Sequence, residues 1–370
     1  MGVALWLAEY TGASLLKMEV PILDGAAKKR SDIAAGKLVC GNRRDARDWL
    51  SAFDGDSLMR RVGNSFAERY IREGAQDLLI ISAGEAAAPY NLALGYIWRC
   101  RCAAVTEPGC VTTDPFDFAI MAEHEFPKRK PNIFVTLGSV NAVKKENIAD
   151  EAKKFLASNP PLETGTPIWT LVVGGDDANY VMTQNWVKKN IGTLLHAAAS
   201  ADASVYIYVS DKISPSAQKT LNLLVSHSEN VCCMVCESEG GAHCFHAMLG
   251  IPDTVFLSDD IPDKITEAIT AGHKAVIMRT EQRGGIKKVL QSATESLIKA
   301  GAASSSFLWG KPKYDMLFNH FLRHELAVEF RTWLKMRHDE DDVTSFEKLS
   351  AGEDFNEAKR AAEWIISNWN

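Results

Sequence analysis

The sequence lacks an apolar run of the roughly 18 residues that a membrane-spanning helix needs, so no helix is expected to cross a membrane. It also lacks a basic excess, because the formal net charge is -6, which argues against nucleic acid as a partner. The apolar N-terminus has no basic region before it and soon reaches Glu9, so it does not resemble a signal peptide. We therefore expect a cytoplasmic protein, with peripheral membrane contact left open.

No secretory signal accompanies the eight cysteines, so we expect them to be reduced thiols. One group, Cys232, Cys233 and Cys236, is followed by His243 and His246 and invites a zinc interpretation. However, this spacing matches no standard zinc site. In a strand over residues 230–236, alternate cysteines would point to opposite faces. We expect small buried apolar side chains there and no metal site.

What the sequence does contain is a regular alternation of short apolar runs with helical stretches, which predicts βα units and parallel sheets. The predicted strands are residues 18–23, 77–83, 102–106, 116–122, 132–137, 168–173, 204–209, 230–236, 254–257 and 275–278. The predicted helices are residues 45–53, 57–73, 89–98, 144–157, 179–200, 215–226, 261–271 and 286–300, with a first helix that ends near Gly12.

A stretch rich in proline, residues 158–167, divides the pattern in two, because Pro160 and Pro161 cannot continue a helix. The predicted class is therefore α/β, with two facing Rossmann-like domains over residues 1–158 and 166–300 and a ligand cleft at their strand ends. Residues 301–370 are predicted to form a helical extension that packs on the domains or on a protein partner. Its apolar stripe consists of Phe318, Phe321, Leu322, Leu326, Trp333 and Leu334, and a last helix carries Ala358, Ala361, Ala362, Ile365 and Trp369.

Six segments, in order, resemble the elongated-mitochondria family of mitochondrial fission proteins over about residues 1–300. They are ISAGEAAAPYNLAL (81–94), FDFAIMAEHE (116–125), NIFVTLGSVNAV (132–143), TLVVGGDDANY (170–180), YVSDKISP (208–215) and SDDIPDKITEAITAGHKAVIM (258–278). The resemblance implies the two-domain architecture of B-type glycosyltransferases, with a nucleotide-sugar donor on the C-terminal domain. The resemblance also implies an initial strand before the first helix. Because Met1 falls inside that first helix, we expect this sequence to lack the strand.

On the donor side, the resemblance points to Gly174 and Gly175, whose amides would meet a diphosphate where a helix begins near Asn179. A tight turn that simply needs glycine is the alternative. The two aspartates that follow would repel a diphosphate and are expected to cap that helix instead. The other donor-side candidates are Ser210, Lys212 as a counter-charge to phosphate, Ser258 and Asp260 in a polar turn, and Glu267 as an acceptor for ribose hydroxyls.

On the acceptor side, His124 follows a predicted strand and lies between two glutamates, so it is a candidate general base. Glu85, in the turn after another strand, is a second candidate. A structural histidine that bridges two loops is the alternative for His124.

The leading functional hypothesis is metal-independent transfer of a sugar from a nucleotide diphosphate sugar to an unknown acceptor, without a further cofactor. The rivals are a non-catalytic adaptor of the mitochondrial-fission type, with a protein partner on the C-terminal helices, and a nucleotide-sugar epimerase. Three basic clusters, Lys28–Arg30, Arg43–Arg44 and Lys128–Lys130, are candidates for contact with anionic lipid or acceptor, unless they are simply solvated charge.

Overall fold

The computed structural model describes residues 1–73, 77–239, 241, 244–304, 307–337 and 355–369. The chain forms two compact units: unit 1 is Met1–Val140 with Ala358–Asn370, and unit 2 is Asn141–Glu357. The division therefore falls before the proline-rich stretch, because the helix over residues 145–158 packs on the short helix over residues 244–249 of unit 2. The predicted C-terminal extension is shared between the two units.

Unit 1 begins with helix α1 (Gly2–Thr11), which ends at Gly12 in a left-handed conformation, as predicted. The helix over residues 43–52 is capped at its N-terminus by the side chain of Asn42, which accepts two main-chain hydrogen bonds. The remaining elements are α2 (Gly25–Ala35), α3 (Arg43–Ala52), α4 (Asp56–Glu73), β1 (Leu79–Ala83), α5 (Ala88–Trp98), β2 (Arg101–Val105), β3 (Phe118–Ala122) and β4 (Ile133–Thr136).

The sheet of unit 1 is parallel and follows the order of the chain, β1-β2-β3-β4. One face packs on α5, which is buried along nearly its whole length. The other face packs on α1 and on the last helix of the chain, whose buried residues are Ala358, Ala361, Ala362 and Ile365. The predicted apolar face of that last helix is thus used inside unit 1.

Unit 2 contains α6 (Lys145–Ser158), β5 (Ile168–Val173), β6 (Tyr180–Val181), α7 (Gln184–Trp186), a π-helical turn (Val187–Ile191), α8 (Gly192–Ala199), β7 (Ser204–Val209) and α9 (Pro215–Ser226). It continues with β8 (Val231–Cys236), α10 (Cys244–Leu249), β9 (Thr254–Ser258), α11 (Pro262–Thr270), β10 (Ala275–Met278), β11 (Glu281–Gln282), α12 (Ile286–Lys299), α13 (Lys311–Arg323), β12 (Ala327–Glu329) and α14 (Phe330–Met336). Helix α15 (Glu357–Ser367) is the last helix described above.

Six strands of unit 2 form a parallel sheet in the order β12-β10-β9-β5-β7-β8, and β6 pairs with β11 separately. Every residue of β7 is buried, as expected for a strand with both faces covered. Counted along the chain, the sheet reads 6-5-4-1-2-3, which is the doubly wound order. The predicted α/β class with parallel sheets is confirmed.

Three local predictions are wrong. Residues 18–23 form no strand, because Pro21 has no N–H to donate and Ile22 is 98% exposed. The helix predicted from residue 179 begins at Gln184, since Tyr180 and Val181 pair with β11. The apolar stripe from Phe318 to Leu334 is two helices separated by β12, which adds a strand beside β10.

Candidate functional site

The order of strands in unit 2 reverses between β5 and β9. From β5 the chain runs outward through β7 and β8, then returns to β9 on the other side of β5 and continues through β10 and β12. The loops that follow β5 and β9 therefore leave in opposite directions. We call their meeting place the β5–β9 edge, formed by Gly174 and Gly175 after β5 and by Ser258, Asp259 and Asp260 at the end of β9. Doubly wound sheets bind ligands at such a point.

The two glycine amides of the β5–β9 edge are used within the chain. The N–H of Gly174 donates to Ser258 Oγ at 2.8 Å, and the N–H of Gly175 donates to Asp260 Oδ2 at 2.5 Å. A side chain at Gly174 would overlap the carboxyl group of Asp260, and one at Gly175 would overlap the main chain of Lys212. Close packing thus requires both glycines, and the structure brings four of the predicted donor-side residues together.

Asp260 occupies the position at which an anion would meet the amide of Gly175. Its Oδ1 atom is buried and has no hydrogen-bond partner in the described part of the chain. Burial raises the pKa of Asp260 to about 6, although hydrogen bonds from Ser258 and Gly175 act in the opposite direction. The carboxyl group of Asp260 therefore takes up a proton at a higher pH than an exposed aspartate does.

The prediction that the two aspartates after the glycine pair cap a helix is wrong. Asp177 Oδ1 accepts from the N–H groups of Asn179 and Tyr180 at 2.6 and 2.7 Å, and Asp176 Oδ1 accepts from Met182 N–H at 2.8 Å. Arg283 bonds Asp176 Oδ2 at 3.1 Å. These carboxylates fix the loop into β6, so the glycine pair does not lie at a helix N-terminus.

Asp259, which the sequence reading did not select, is the fully buried acid of the β5–β9 edge. Its Oδ1 accepts from the N–H of Thr280 at 2.7 Å and from the hydroxyl of the same residue. Its Oδ2 lies 2.9 Å from Lys311 Nζ and 3.7 Å from Arg279 Nη1. Arg279 also contacts Asp315 at 3.1 Å. Because its cationic partners come from later elements, no local motif could have identified Asp259.

A cavity of about 390 Å³ lies beside this network, on the side of α7 and β12. Its lining includes Trp186, Arg279 and Glu329 but none of the predicted site residues. The cavity therefore adjoins the network of Asp259 through Arg279 but is not lined by the glycine pair, Ser258 or Asp260.

The loop after β7 supports the glycine pair with its main chain. The carbonyl of Lys212 accepts from the N–H of Asp176 at 2.8 Å, while the Lys212 side chain is exposed. Ser210 is buried, and its Oγ accepts from the N–H of Lys212 at 3.4 Å. The ammonium of Lys212 thus extends into solvent from a loop that touches the β5–β9 edge.

Glu267 lies on α11 and pairs with a histidine of α10. Its Oε2 atom is 3.2 Å from His246 Nε2, and the two side chains are 23% and 45% exposed. The hydrogen bond that His246 donates to Glu267 raises the pKa of His246, against the opposing effect of burial. On the same helix, Lys264 Nζ lies 4.1 Å from the ring centre of Phe245 and 3.9 Å from Glu237 Oε1.

The acceptor-side candidates belong to unit 1, at the carboxyl ends of β1 and β3. Glu85 Oε1 bonds Lys28 Nζ at 2.7 Å, and both side chains are largely exposed. Lys28 lies on α2, so this basic cluster is part of a helix and not of a loop. His124 is half-buried in the short turn Glu123–Glu125 that follows β3, which is the position predicted from the sequence.

The cysteines of the zinc interpretation are spread over two elements. Cys232, Cys233 and Cys236 belong to β8 and Cys244 begins α10, whereas His243 lies outside the described residues. Within the described ranges, no group of three or more His, Cys, Asp or Glu side chains is arranged to hold a metal ion. Burial raises the pKa of the Cys233 thiol.

Comparison with known proteins relates this chain to one family. No curated protein matches it in sequence. Among solved structures, UDP-GlcNAc 2-epimerase from Neisseria meningitidis bound to UDP-GlcNAc is similar, at 12% identity over 92% of this chain and 96% of that one, with a TM-score of 0.46. At this level, the similarity assigns neither a substrate nor site residues.

Among the helices of the described residues, none combines the length and the apolar character needed to cross a membrane.

The sequence model of the family described as mitochondrial fission ELM1 matches residues 39–369. This match covers most of the chain, including the whole of unit 2 and β1 to β4 of unit 1. The chain therefore belongs to the mitochondrial fission ELM1 family.

Proposed function

We propose that unit 2 binds a nucleotide diphosphate sugar at the β5–β9 edge and that the protein is a glycosyltransferase-like enzyme with an unidentified acceptor. The observation that carries the proposal is the reversal of strand order between β5 and β9, which creates the kind of edge at which doubly wound sheets bind nucleotides. Three loops that follow strands of this sheet carry predicted donor-side residues: Gly174 and Gly175 after β5, Ser210 and Lys212 after β7, and Ser258 and Asp260 at the end of β9.

In this proposal, Glu267 and Lys212 each have a role that suits the chemistry of the side chain. Glu267 offers two carboxylate oxygens to the vicinal hydroxyls of a ribose, a task for which its partial exposure leaves it accessible. The exposed ammonium of Lys212 supplies a positive charge for the departing diphosphate. No metal or further cofactor enters this proposal.

The chemical step is a displacement at the anomeric carbon of the sugar. A base, for which His124 is our candidate, removes the proton of the acceptor hydroxyl while its oxygen attacks that carbon. The bond from the sugar to the diphosphate breaks, and the nucleoside diphosphate leaves with the electron pair. Glu85, which pairs with Lys28, is the candidate that orients the acceptor.

A non-catalytic adaptor is the second candidate, and one observation favours it. The amides of Gly174 and Gly175 are already bonded to Ser258 and Asp260, so a phosphate must displace a carboxylate before it reaches them. A family member that had given up donor binding would tolerate such a blocked edge, whereas an active transferase must open or neutralise it.

Calorimetric titration with uridine, guanosine and thymidine diphosphates separates the two candidates. We expect one nucleotide to bind and Glu267→Ala to weaken it by more than about tenfold, since hydrogen bonds to charged groups are strong. Asp263→Asn is the matched control, because Asp263 is an exposed acid on the same helix. Failure of all three nucleotides to bind at millimolar concentration would leave the adaptor as the better account.

A further inference from the structure

Helix α12 of unit 2 turns its apolar side outward. Four large apolar side chains of this helix are exposed by half or more: Ile286 80%, Val289 69%, Leu290 53% and Leu297 53%. Ala293 is exposed as well. Within α12, all of whose residues the structure describes, Gln291 is the one buried side chain. The usual arrangement of an amphipathic helix, with its apolar face on the core, is thus inverted.

The exposed apolar residues form one continuous strip. At the ~100° that each helical residue turns, these five positions fall within an arc of about 100°. We call this strip the apolar arc of α12, formed by Ile286, Val289, Leu290, Ala293 and Leu297. A contiguous apolar surface of this kind indicates an interaction site, unlike the scattered single apolar residues of ordinary surfaces.

A polar anchor holds the helix in this orientation. Gln291 Oε1 accepts from Gln282 Nε2 at 2.6 Å, and Gln291 Nε2 donates to Asn179 Oδ1 at 3.1 Å. Gly310 packs directly against the amide group of Gln291. Because its buried hydrogen bonds would be lost if the helix rotated, Gln291 fixes the apolar arc toward solvent.

The charge of α12 identifies the kind of surface that would cover the arc. The helix carries Lys287, Lys288 and Lys299 but a single acid, Glu295, which gives a net charge of +2 in a chain whose total is -6. Lys299 pairs with Glu295 at 2.8 Å, so the two lysines of the first turn are the ones outside this pair. An apolar strip with lysines on the polar side of the same helix fits an anionic lipid surface.

We propose that α12 lies in the plane of an anionic membrane surface, with the apolar arc among the lipid chains and its lysines at the head groups. The helix is about 21 Å long, enough to bind at an interface but too short to span a bilayer. One narrow side of a helix of this length also offers less surface than the roughly 800 Å² that each partner buries in a standard protein interface. The proposal does not depend on the activity proposed above.

Co-sedimentation with lipid vesicles tests this assignment on the full-length protein. The vesicles are phosphatidylcholine alone, or equal parts of phosphatidylcholine and phosphatidylglycerol. We expect binding to the anionic vesicles only, and a loss of about tenfold or more for Leu290→Ser with Leu297→Ser, because burial of the two leucines drives insertion. Lys287→Gln with Lys288→Gln should weaken binding and reduce its dependence on salt.

Leu223→Ser is the matched control, since Leu223 on α9 is 58% exposed but lies outside the arc. This variant should bind as the unchanged protein does, and thermal unfolding should show that all variants keep their fold. The proposal fails if the unchanged protein ignores anionic vesicles, or if the double leucine variant binds them undiminished. It fails equally if the leucine substitutions abolish self-association, measured by light scattering, without any effect on vesicle binding.

Discussion

The two units use the same βα construction but arrange their strands differently. In unit 1 the four strands follow the order of the chain, so no reversal occurs among the described strands of its sheet. In unit 2 the order reverses between β5 and β9, and the loops that follow these strands are tied together by Ser258 and Asp260. Parallel strands alone therefore do not create a ligand site at the carboxyl ends of a sheet. Such a site forms where the loops that follow two neighbouring strands leave the sheet in opposite directions.

The units also differ in how deeply they bury charged side chains at the carboxyl ends of their strands. In unit 1, Glu85 and Lys28 form an exposed pair, which is worth little for stability. In unit 2, Asp259 is completely buried against Thr280 and Lys311. The carboxyl edge of unit 2 is therefore part of the structural core as well as the candidate site, and substitutions there should reveal both properties.

The largest effect should come from Asp259→Ala. It removes one acidic partner of Lys311, whose side chain is only 15% exposed, and leaves this largely buried charge with Asp315 at 3.2 Å. We expect a loss of about 3 kcal/mol in the free energy of unfolding, measured by urea titration. Asp150→Ala, which removes an acid that is 76% exposed in the same unit, should cost less than about 0.5 kcal/mol. Equal losses for both variants would show that the burial of Asp259 does not set it apart from an exposed acid.

Gly175→Ala should have the next largest effect. Its new methyl group would overlap the main chain of Lys212 and Ile213, which cannot move aside as a flexible side chain can. We expect a loss of about 1–3 kcal/mol in the same unfolding assay. Gly192→Ala, where nothing lies near the added carbon, should instead stabilise the protein by about 0.4–1 kcal/mol. A neutral Gly175→Ala would mean that the β5–β9 edge is not closely packed.

Asp260→Asn should produce a smaller change that concerns affinity. The amide keeps an acceptor for Gly175 but removes a negative charge from the edge, so nucleoside diphosphate binding should tighten by about tenfold. Because the pKa of Asp260 is about 6, affinity in the unchanged protein should fall as pH rises through 6, while the variant should lose this dependence. Identical pH profiles for the two proteins, measured by calorimetry, would show that Asp260 does not control the edge.

The same raised pKa has a consequence for stability. Since the folded protein holds the proton of Asp260 more tightly than the unfolded chain, its stability should decrease as pH rises from about 3.8 to about 6 and then stay level. In Asp260→Asn this contribution is absent, so the difference in free energy of unfolding between the two proteins, measured by urea titration, should grow as pH rises from about 3.8 to about 6 and stay constant at higher pH.

The sequence predicted the fold well where strands are fully buried. Runs such as Ile168–Val173 and Ser204–Val209 are apolar at all but one position each, which is the pattern of a strand covered on both faces. It failed where elements are very short: β12 has three residues between two helices, and its apolar side chains fit a helical stripe equally well. The strand predicted over residues 18–23 was wrong for a different reason. These residues have the local composition of a strand, but they pair with no neighbouring strand.

For the candidate site, the sequence located the loops but not the bonds within them. It identified Gly174, Gly175, Ser258 and Asp260 through their place at strand ends, and the structure brings these residues into contact. It could not tell Asp259 from Asp260, because the difference depends on Thr280 and Lys311, which arrive from distant parts of the chain. Nor could it show that the last helices are built into the two units.

This last point changes how the adaptor hypothesis can be examined. Deletion of residues 310–370 would remove β12, which pairs with β10, and α15, which covers the sheet of unit 1. Such a truncated chain should lose its fold, so loss of partner capture would carry no information. Point substitutions on exposed residues are the appropriate alternative.

The most direct test of the central claim is hydrogen–deuterium exchange with and without the nucleoside diphosphate that binds in calorimetry. We predict protection in unit 2, in peptides that cover residues 174–183 and 258–267, and unchanged exchange in peptides that cover residues 84–110 of unit 1. Protection confined to unit 1, or none in the peptides of the β5–β9 edge, would contradict the assignment of the nucleotide to the reversal of strand order.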